Sequence, residues 1–125
     1  MPIAPSVRAS CQELLEPGEQ IRYLFPATSA VMSVGIAAAP FFVAVTDRAI
    51  VLISGRFLRR NRPDRVWERF PRSTRLGPLD TSLGPAFGLS GMIFEIDDEY
   101  AAIIGAVDAE LEGPAGLPED PLPDL

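Results

Sequence analysis

Histidine and lysine are both absent from this chain of 125 residues, and their absence excludes several kinds of chemistry. Without histidine there is no Ser-His-Asp triad, no imidazole general base and no histidine metal ligand. Without lysine there is no Schiff-base catalysis and no P-loop lysine. The motifs G-x-S-x-G, C-x-x-C and G-x-G-x-x-G are also missing. We therefore predict a non-enzymatic protein that uses no cofactor.

The chain has a single cysteine, Cys11, so an intramolecular disulfide cannot form. The first ten residues, MPIAPSVRAS, lack the basic start and apolar run of a secretory signal. One uncharged apolar run, Ala27 to Val45, approaches the length of a membrane span, but Gly35 and Pro40 interrupt it. We therefore expect a cytoplasmic protein without a transmembrane segment, and peripheral association with a membrane stays open.

Proline and glycine are abundant, with thirteen and ten residues respectively. That is too many for a helical bundle and typical of short strands joined by turns. The length corresponds to one domain, which we place at residues 1–112. Residues 113–125 include four prolines, and they are predicted to form a disordered acidic tail.

The most strongly patterned stretch is a hairpin of two apolar strands, Phe41–Thr46 and Ala49–Ser54. Asp47 supplies the turn chemistry between them, because its side chain can bond the backbone just ahead. Apolar residues occupy nearly every position of both strands. This pattern predicts a central strand pair that is either covered on both faces or packed by one face against a helix.

Further elements are predicted on both sides of this hairpin. Ser6 is expected to cap a short helix that ends near Glu16 and packs Cys11 against the core. Strands are predicted at Gln20–Pro26, with Ile21, Tyr23 and Phe25 buried, and at Val66–Phe70, Thr74–Leu79 and Met92–Ile96. Turns are predicted around Phe87-Gly88-Leu89, and a loop or an exposed edge at Arg56–Asp64. Residues 27–39 stay unassigned.

A second, amphipathic helix is predicted near the C-terminus. Asp97 or Asp98 is expected to cap it, and Gly113-Pro114 to close it. Its apolar stripe consists of Tyr100, Ile103, Ile104, Val107 and Leu111. The acids Asp97-Asp98-Glu99 could also hold a hard cation, but carboxylates at a helix start ordinarily stabilise its dipole. We therefore predict no metal site.

This order of elements predicts a mainly β (α+β) fold. It comprises a bent sheet or small β-barrel of six or seven strands, a short N-terminal helix and a C-terminal helix that caps one end. Two motifs, LLEPGEQI at residues 14–21 and VTDRAI at 45–50, resemble motifs of bacterial pleckstrin-homology-like (PH-like) domains. The family patterns are L-x-x-G-E-x-I and V-T-D-x-R-L-I, and Arg48 stands one place earlier than in the second. Phe70-Pro71 with Arg75-Leu76-Gly77 is similar more loosely.

The resemblance covers residues 13–112 and implies a scaffold that binds phosphoinositides, peptides or proteins. Lipid-binding members of the family use basic residues in the loop between the first two strands. The corresponding region here, Ala27–Ala39, carries no charge. This departure argues against phosphoinositide binding of that kind.

Charge is distributed very unevenly along the chain. Residues 56–75 contain eight arginines opposed only by Asp64 and Glu68, whereas the sequence from Glu95 onward has ten acids and no base. Guanidinium groups match the geometry of carboxylates and phosphates. Three interpretations stay open: pairing with the chain's own acids or a merely solvated face, an interface with an acidic partner or a second copy, and an anionic lipid surface or nucleic acid.

We expect a PH-like interaction or scaffolding module that binds a protein partner through this arginine-rich segment. The predicted partner-binding residues are Arg56, Arg59, Arg60, Arg62 and Arg65. Anionic lipid or nucleic acid is the alternative ligand, with Trp67 and Phe70 available for stacking on bases. Net charge is −6, which disfavours nucleic acid over much of the surface.

Overall fold

The computed structural model describes residues 3–29, 39–56, 59–82, 84–89 and 91–116. Six strands form one antiparallel sheet that curls into a half-barrel, with a short helix before it and a longer helix after it. This confirms the mainly β class predicted from the sequence. The elements are α1 (Pro5–Glu13), β1 (Ile21–Ser29), β2 (Ala39–Thr46), β3 (Ala49–Arg56), β4 (Arg59–Pro71), β5 (Ala86–Leu89), β6 (Met92–Glu95), a 3-10 turn (Asp98–Tyr100) and α2 (Ala101–Gly116).

The strands lie in the order β4-β3-β2-β1-β6-β5. The first four form a meander, and β6 returns to pair with the end of β1, where Thr28 lies opposite Glu95. The curl brings non-neighbouring strands together on the concave face. Phe41 of β2 contacts Trp67 of β4 and Phe94 of β6, with ring centroids 5.6 and 5.2 Å apart. The concave face therefore encloses the larger apolar core.

The central hairpin is covered on both faces, the first of the two arrangements that the sequence left open. Phe41 and Val43 point into an inner core that includes Ile104 and Val107 of α2. Phe42 points into an outer core that is covered by α1. Alternate residues are thus buried on opposite sides, because a strand directs successive side chains to opposite faces.

The predicted one-sided pattern of β1 is wrong at Leu24. Leu24 is buried in the outer core, whereas its neighbour Phe25 is buried in the inner core. A register shift between Ile21 and Tyr23 places Ile21 on the outer face, and Tyr23 packs only in part against the inner core. The reason is α1, which covers the face that the alternation alone assigns to solvent.

The arginine-rich segment is strand, not loop. β4 runs without interruption from Arg59 to Pro71 and pairs with β3 along that length, with register shifts near Ser54 and Gly55. β4 is the outermost strand at one edge of the sheet. Of the two predicted alternatives, the exposed edge is therefore confirmed and the loop is wrong. Propensity reasoning missed this because pairing with the buried strand β3 overrides the polar composition of β4.

Two predictions between residues 74 and 91 are wrong. Residues 74–79 form no strand, because the backbone N–H groups of Leu76 and Gly77 donate to Asp108 of α2 instead of to a neighbouring strand. Residues 86–89, predicted as turns, form β5, which pairs with β6 through a turn at Gly91. Gly91 has a φ of 74°, a conformation that glycine adopts without steric penalty.

Both helices differ from the prediction at their ends. Ala4 occupies the N-cap of α1 and Pro5 its first turn, so Ser6 is not the cap, and the helix ends at Glu13 instead of Glu16. Cys11 is fully buried as predicted, and burial raises the pKa of its thiol to about 11. α2 continues to Gly116, past its predicted end at Gly113-Pro114.

Asp97 occupies the N-cap of the 3-10 turn that precedes α2, but its side chain makes no capping hydrogen bond. The predicted inward stripe is confirmed at Tyr100, Ile104 and Val107, which are buried in the inner core. The predicted disordered tail falls largely on residues 117–125, which lie outside the described residues. None of the described helices is long and apolar enough to cross a membrane.

Candidate functional site

The strand β4 divides into two halves that differ in what their arginines contact. We call residues 59–65 the distal half, because it lies at the end of β3 and β4 where Arg56 pairs with Arg59. Residues 66–71 form the proximal half, which ends where Pro71 pairs with Ala49 beside the Asp47 turn. Arginines occur in both halves, so sequence density alone does not separate them.

In the distal half, Arg62 and Arg65 are exposed. Neither guanidinium makes a hydrogen bond or a salt bridge with any other residue that the structure describes. Arg62 lies next to α1, where it lines a shallow pocket with Ser6, Val7 and Ser10. The backbone carbonyl of Arg65 accepts a hydrogen bond from Ser54 Oγ at 3.3 Å, which leaves its guanidinium uninvolved.

The remaining predicted partner-binding residues are Arg56, Arg59 and Arg60. Their backbones belong to the adjacent ends of β3 and β4, which places them next to Arg62 and Arg65 along the chain. Their side chains lie outside the described part of the molecule. The fold therefore brings the backbones of all five predicted residues to one end of one hairpin.

Trp67 is the aromatic residue nearest to these arginines on β4. Its side chain is 48% exposed, and its ring packs edge-on against Phe41 at an interplanar angle of 89°. Phe70, the second aromatic residue proposed for stacking, packs against the inner core. Only Trp67 of the two therefore presents a substantial aromatic surface to solvent.

In the proximal half, Arg69 is fully engaged. Its Nη1 donates to Glu19 Oε1 at 3.0 Å, and its Nη2 donates to Glu19 Oε2 at 2.9 Å. Nη2 also lies 3.2 Å from Glu16 Oε1. This two-pronged geometry is the strongest form of arginine–carboxylate contact, and it commits both terminal nitrogens of Arg69 to the chain's own acids.

Glu19 is fully buried, and it joins three segments of the chain. Thr46 Oγ1 donates to Glu19 Oε2 at 2.5 Å, and the backbone N–H of Glu16 donates to Oε1 at 3.2 Å. Burial disfavours the charged carboxylate, but the hydrogen bonds from Arg69, Thr46 and Glu16 outweigh it and hold the pKa of Glu19 below its ordinary value. The Glu19 contacts therefore fix the α1–β1 connection to β2 and β4.

A second carboxylate, Glu110 of α2, engages two further arginines. Arg22 Nε and Arg72 Nη2 each lie 3.1 Å from Glu110 Oε1, and Tyr23 Oη donates to Oε2 at 2.5 Å. These hydrogen bonds, led by the one from Tyr23, lower the pKa of Glu110. Together with Asp108, which accepts the N–H groups of residues 76 and 77, they anchor α2 to the sheet.

The structure thus resolves part of the ambiguity in the arginine-rich segment. Pairing with the chain's own acids accounts for Arg69 and Arg72, whereas no acid among the described residues pairs with Arg62 or Arg65. Sequence reasoning missed Glu19 and Glu110 as the paired acids. A signal existed for Glu19, since the two motifs that resemble PH-like domains contain Glu19 and Thr46, which are hydrogen-bonded to each other.

The predicted cation alternative gains no support from the geometry. Asp97, Asp98 and Glu99 are all exposed at the start of the 3-10 turn. Within the described ranges, no group of three acidic or cysteine side chains is arranged to hold a metal ion. The exposed arginines of the distal half are consequently the strongest candidate for a site.

Comparison with known proteins gave no matching family model, no similar curated protein and no similar solved structure. What the geometry defines is a class: a mainly β half-barrel whose edge strand carries exposed arginines. Function must therefore be argued from the distal half of β4.

Proposed function

We propose that this protein is a non-enzymatic interaction module of the cytoplasm that binds an acidic partner protein through an arginine patch. The arginine patch comprises Arg56, Arg59, Arg60, Arg62 and Arg65. The observation that carries the proposal is the contrast within β4. Arg62 and Arg65 are exposed and unpaired among the described residues, whereas Arg69 of the same strand is bound to a buried carboxylate.

The chemistry of the patch favours carboxylates. A guanidinium presents parallel N–H donors that match a carboxylate, and it stays charged at every physiological pH. Two unpaired guanidinium groups three residues apart on one strand can contact acids on an extended or flat partner surface. Such contacts accelerate association and select for partners of opposite charge.

The scaffold is proposed to be a PH-like domain. Support comes from the sheet, which curls around an inner core with α2 packed into it. Further support comes from the hydrogen bond between Glu19 and Thr46, because it joins the two motifs that suggested the resemblance. The proposal of an acidic protein ligand does not depend on this assignment.

A second candidate ligand is single-stranded nucleic acid. The observation that favours it is the half-exposed ring of Trp67, which lies two residues from Arg65 on β4. Bases stack on such rings while arginines contact phosphates. An anionic lipid surface would use the same arginines without the ring.

Affinity capture from a host extract tests the proposal with a matched pair of variants. Arg62→Gln/Arg65→Gln removes two charges from the patch. Arg22→Gln/Arg48→Gln removes two charges elsewhere, from side chains that are 53% and 50% exposed. We expect the patch variant to capture at least about tenfold less of an acidic partner, and the control to behave like the wild type.

Equal capture by all three proteins would contradict the proposal. Patch-dependent binding to anionic vesicles or to single-stranded DNA, without an acidic protein, would establish the corresponding alternative instead. Light scattering provides a further check, because a patch-dependent increase in mass with concentration would indicate self-assembly.

A further inference from the structure

The two edges of the sheet differ in how completely they are covered. β5 forms one edge and is only four residues long, and its Ala86 exchanges two hydrogen bonds with Asp80 at 2.8 and 2.9 Å. β4 forms the other edge and is thirteen residues long. Among the described residues, no strand pairs with the outer side of β4. Its unpaired peptide groups are therefore a template for a further strand.

We propose that the acidic partner binds as an extended segment, which adds to the outer edge of β4 as a seventh strand. This inference rests on the proposed function and specifies its mode of recognition. Peptide groups of the added segment bond the backbone of β4, and its acidic side chains contact the arginine patch. Backbone pairing of this kind supplies affinity, and side-chain contacts supply specificity.

Side chains on β4 reach both faces of such an added strand. Arg65 pairs with Ser54 and Trp67 packs on Phe41, so both lie toward the concave face. Arg62 lies beside α1, on the convex face. Because successive side chains of a strand point to opposite faces, an added segment with acids on both faces would meet an arginine on each.

The charge of the edge restricts the occupant. Four arginines and one acid lie in the distal half, residues 59–65, so this stretch is net positive. A second copy of the chain that paired along the same edge would bring the same positive charge against it. Pro63 and the register shifts hinder any added strand, so the occupant must offset them by attraction to the charged side chains of the edge. An acidic strand escapes this repulsion and is attracted instead.

Trp67 makes the inference testable by fluorescence, because it is the only tryptophan in the chain. The probe is a ten-residue peptide of alternating glutamate and valine, which favours an extended conformation. The comparison peptide has the same sequence with three consecutive central peptide nitrogens methylated. Methylation preserves every side chain and the net charge, but it removes N–H groups from both edges of the peptide.

We expect the unmodified peptide to bind, to alter Trp67 emission and to slow hydrogen exchange at residues 62–68 but not at 86–89. The methylated peptide should bind at least about tenfold more weakly. Equal binding of the two peptides would overturn strand addition, and so would protection of β5 instead of β4. Failure of both peptides to bind at about 1 mM would overturn it as well.

The test separates this inference from the proposed function on which it rests. If both peptides bind equally and the Arg62→Gln/Arg65→Gln variant loses both, the arginine patch is a carboxylate site and strand addition is wrong. If the unmodified peptide binds with equal affinity to that variant, the arginine patch is not the determinant and the proposed function fails. Increased mass of the free protein, with protection at residues 62–68, would identify a second copy as the occupant and would overturn the acidic partner.

Discussion

The two halves of β4 have the same kind of side chain and opposite roles. In the proximal half, both terminal nitrogens of Arg69 donate hydrogen bonds to the buried carboxylate of Glu19. In the distal half, Arg62 and Arg65 extend from the same strand without a partner among the described residues. The difference arises from the surroundings, because a buried acid pairs with Arg69, whereas no described acid pairs with Arg62 or Arg65.

This comparison shows why a basic segment cannot be treated as one functional unit. Residues 56–75 contain eight arginines, but Arg69 and Arg72 belong to the internal contacts of the fold. The internal contacts join the sheet to the α1–β1 connection and to α2. Among the described residues, Arg62 and Arg65 contribute no such contact, so they can bind a ligand without loosening the structure.

The largest expected effect separates Arg69 from Arg65. Arg69→Ala leaves Glu19 as a buried charge without its main partner, so we expect the free energy of unfolding to fall by about 3 kcal/mol. Arg65→Ala removes an exposed, unpaired side chain from the same strand, and it should change stability by no more than about 0.5 kcal/mol. Urea unfolding measures both. Similar losses in the two variants would show that the halves do not differ.

A smaller effect is expected at the second internal carboxylate. Glu110→Gln keeps one oxygen as an acceptor but loses the charge that binds Arg22 and Arg72, so we expect a loss of about 1–2 kcal/mol. Glu95→Gln is the matched control. Glu95 is exposed on β6, and its carboxylate makes no hydrogen bond or ion pair with any other described residue. Thermal unfolding measures both variants. An equal shift in Tm would show that the contacts of Glu110 do not stabilise the fold.

The smallest expected effect is on how the stability of the fold depends on pH below neutrality. Glu19 and Glu110 both have a pKa that is lowered in the folded state. Each therefore contributes stability that is fully present above the unfolded-state value, about 4.3, and is lost as pH falls through the lower folded-state pKa. Stability should be nearly constant from pH 7 to about 5 and should decline below about 4.3.

The substitution Glu19→Gln should make this decline shallower, because one of the two linked carboxylates is gone. Arg62→Gln/Arg65→Gln should leave the slope unchanged, since neither side chain contacts Glu19 or Glu110. Urea unfolding at a series of pH values measures the slopes. If the slope of stability against pH changed in the Arg62→Gln/Arg65→Gln variant and not in Glu19→Gln, the two halves of β4 would have the opposite roles.

Much of the fold was predictable because it depends on local patterns. The β2–β3 hairpin, the inward stripe of α2 and the burial of Cys11 all follow from apolar periodicity. Long-range pairing was not predictable in the same way. The distal half of β4 is polar and is a strand because β3 beside it supplies a buried partner, and residues 74–79 lose strand pairing because Asp108 binds their N–H groups.

The candidate site was only partly predictable for a related reason. Sequence identifies the arginine-rich segment but not which acids reach it. Glu19 is fifty residues from Arg69, and Glu110 is thirty-eight residues from Arg72. Only the folded arrangement shows that Arg69 and Arg72 are paired and that Arg62 and Arg65 have no acidic partner within the described ranges. The distinction carries the functional proposal.

Titration with a labelled acidic peptide tests the central claim most directly. Fluorescence anisotropy of the alternating glutamate–valine peptide is measured against the wild type, Arg62→Gln/Arg65→Gln and Arg22→Gln/Arg48→Gln at low and physiological salt. The account predicts salt-sensitive binding that weakens at least about tenfold in the distal variant and less than about threefold in the control. Equal weakening in the two variants would contradict the account, because it would show that overall charge, and not the free half of β4, attracts the peptide.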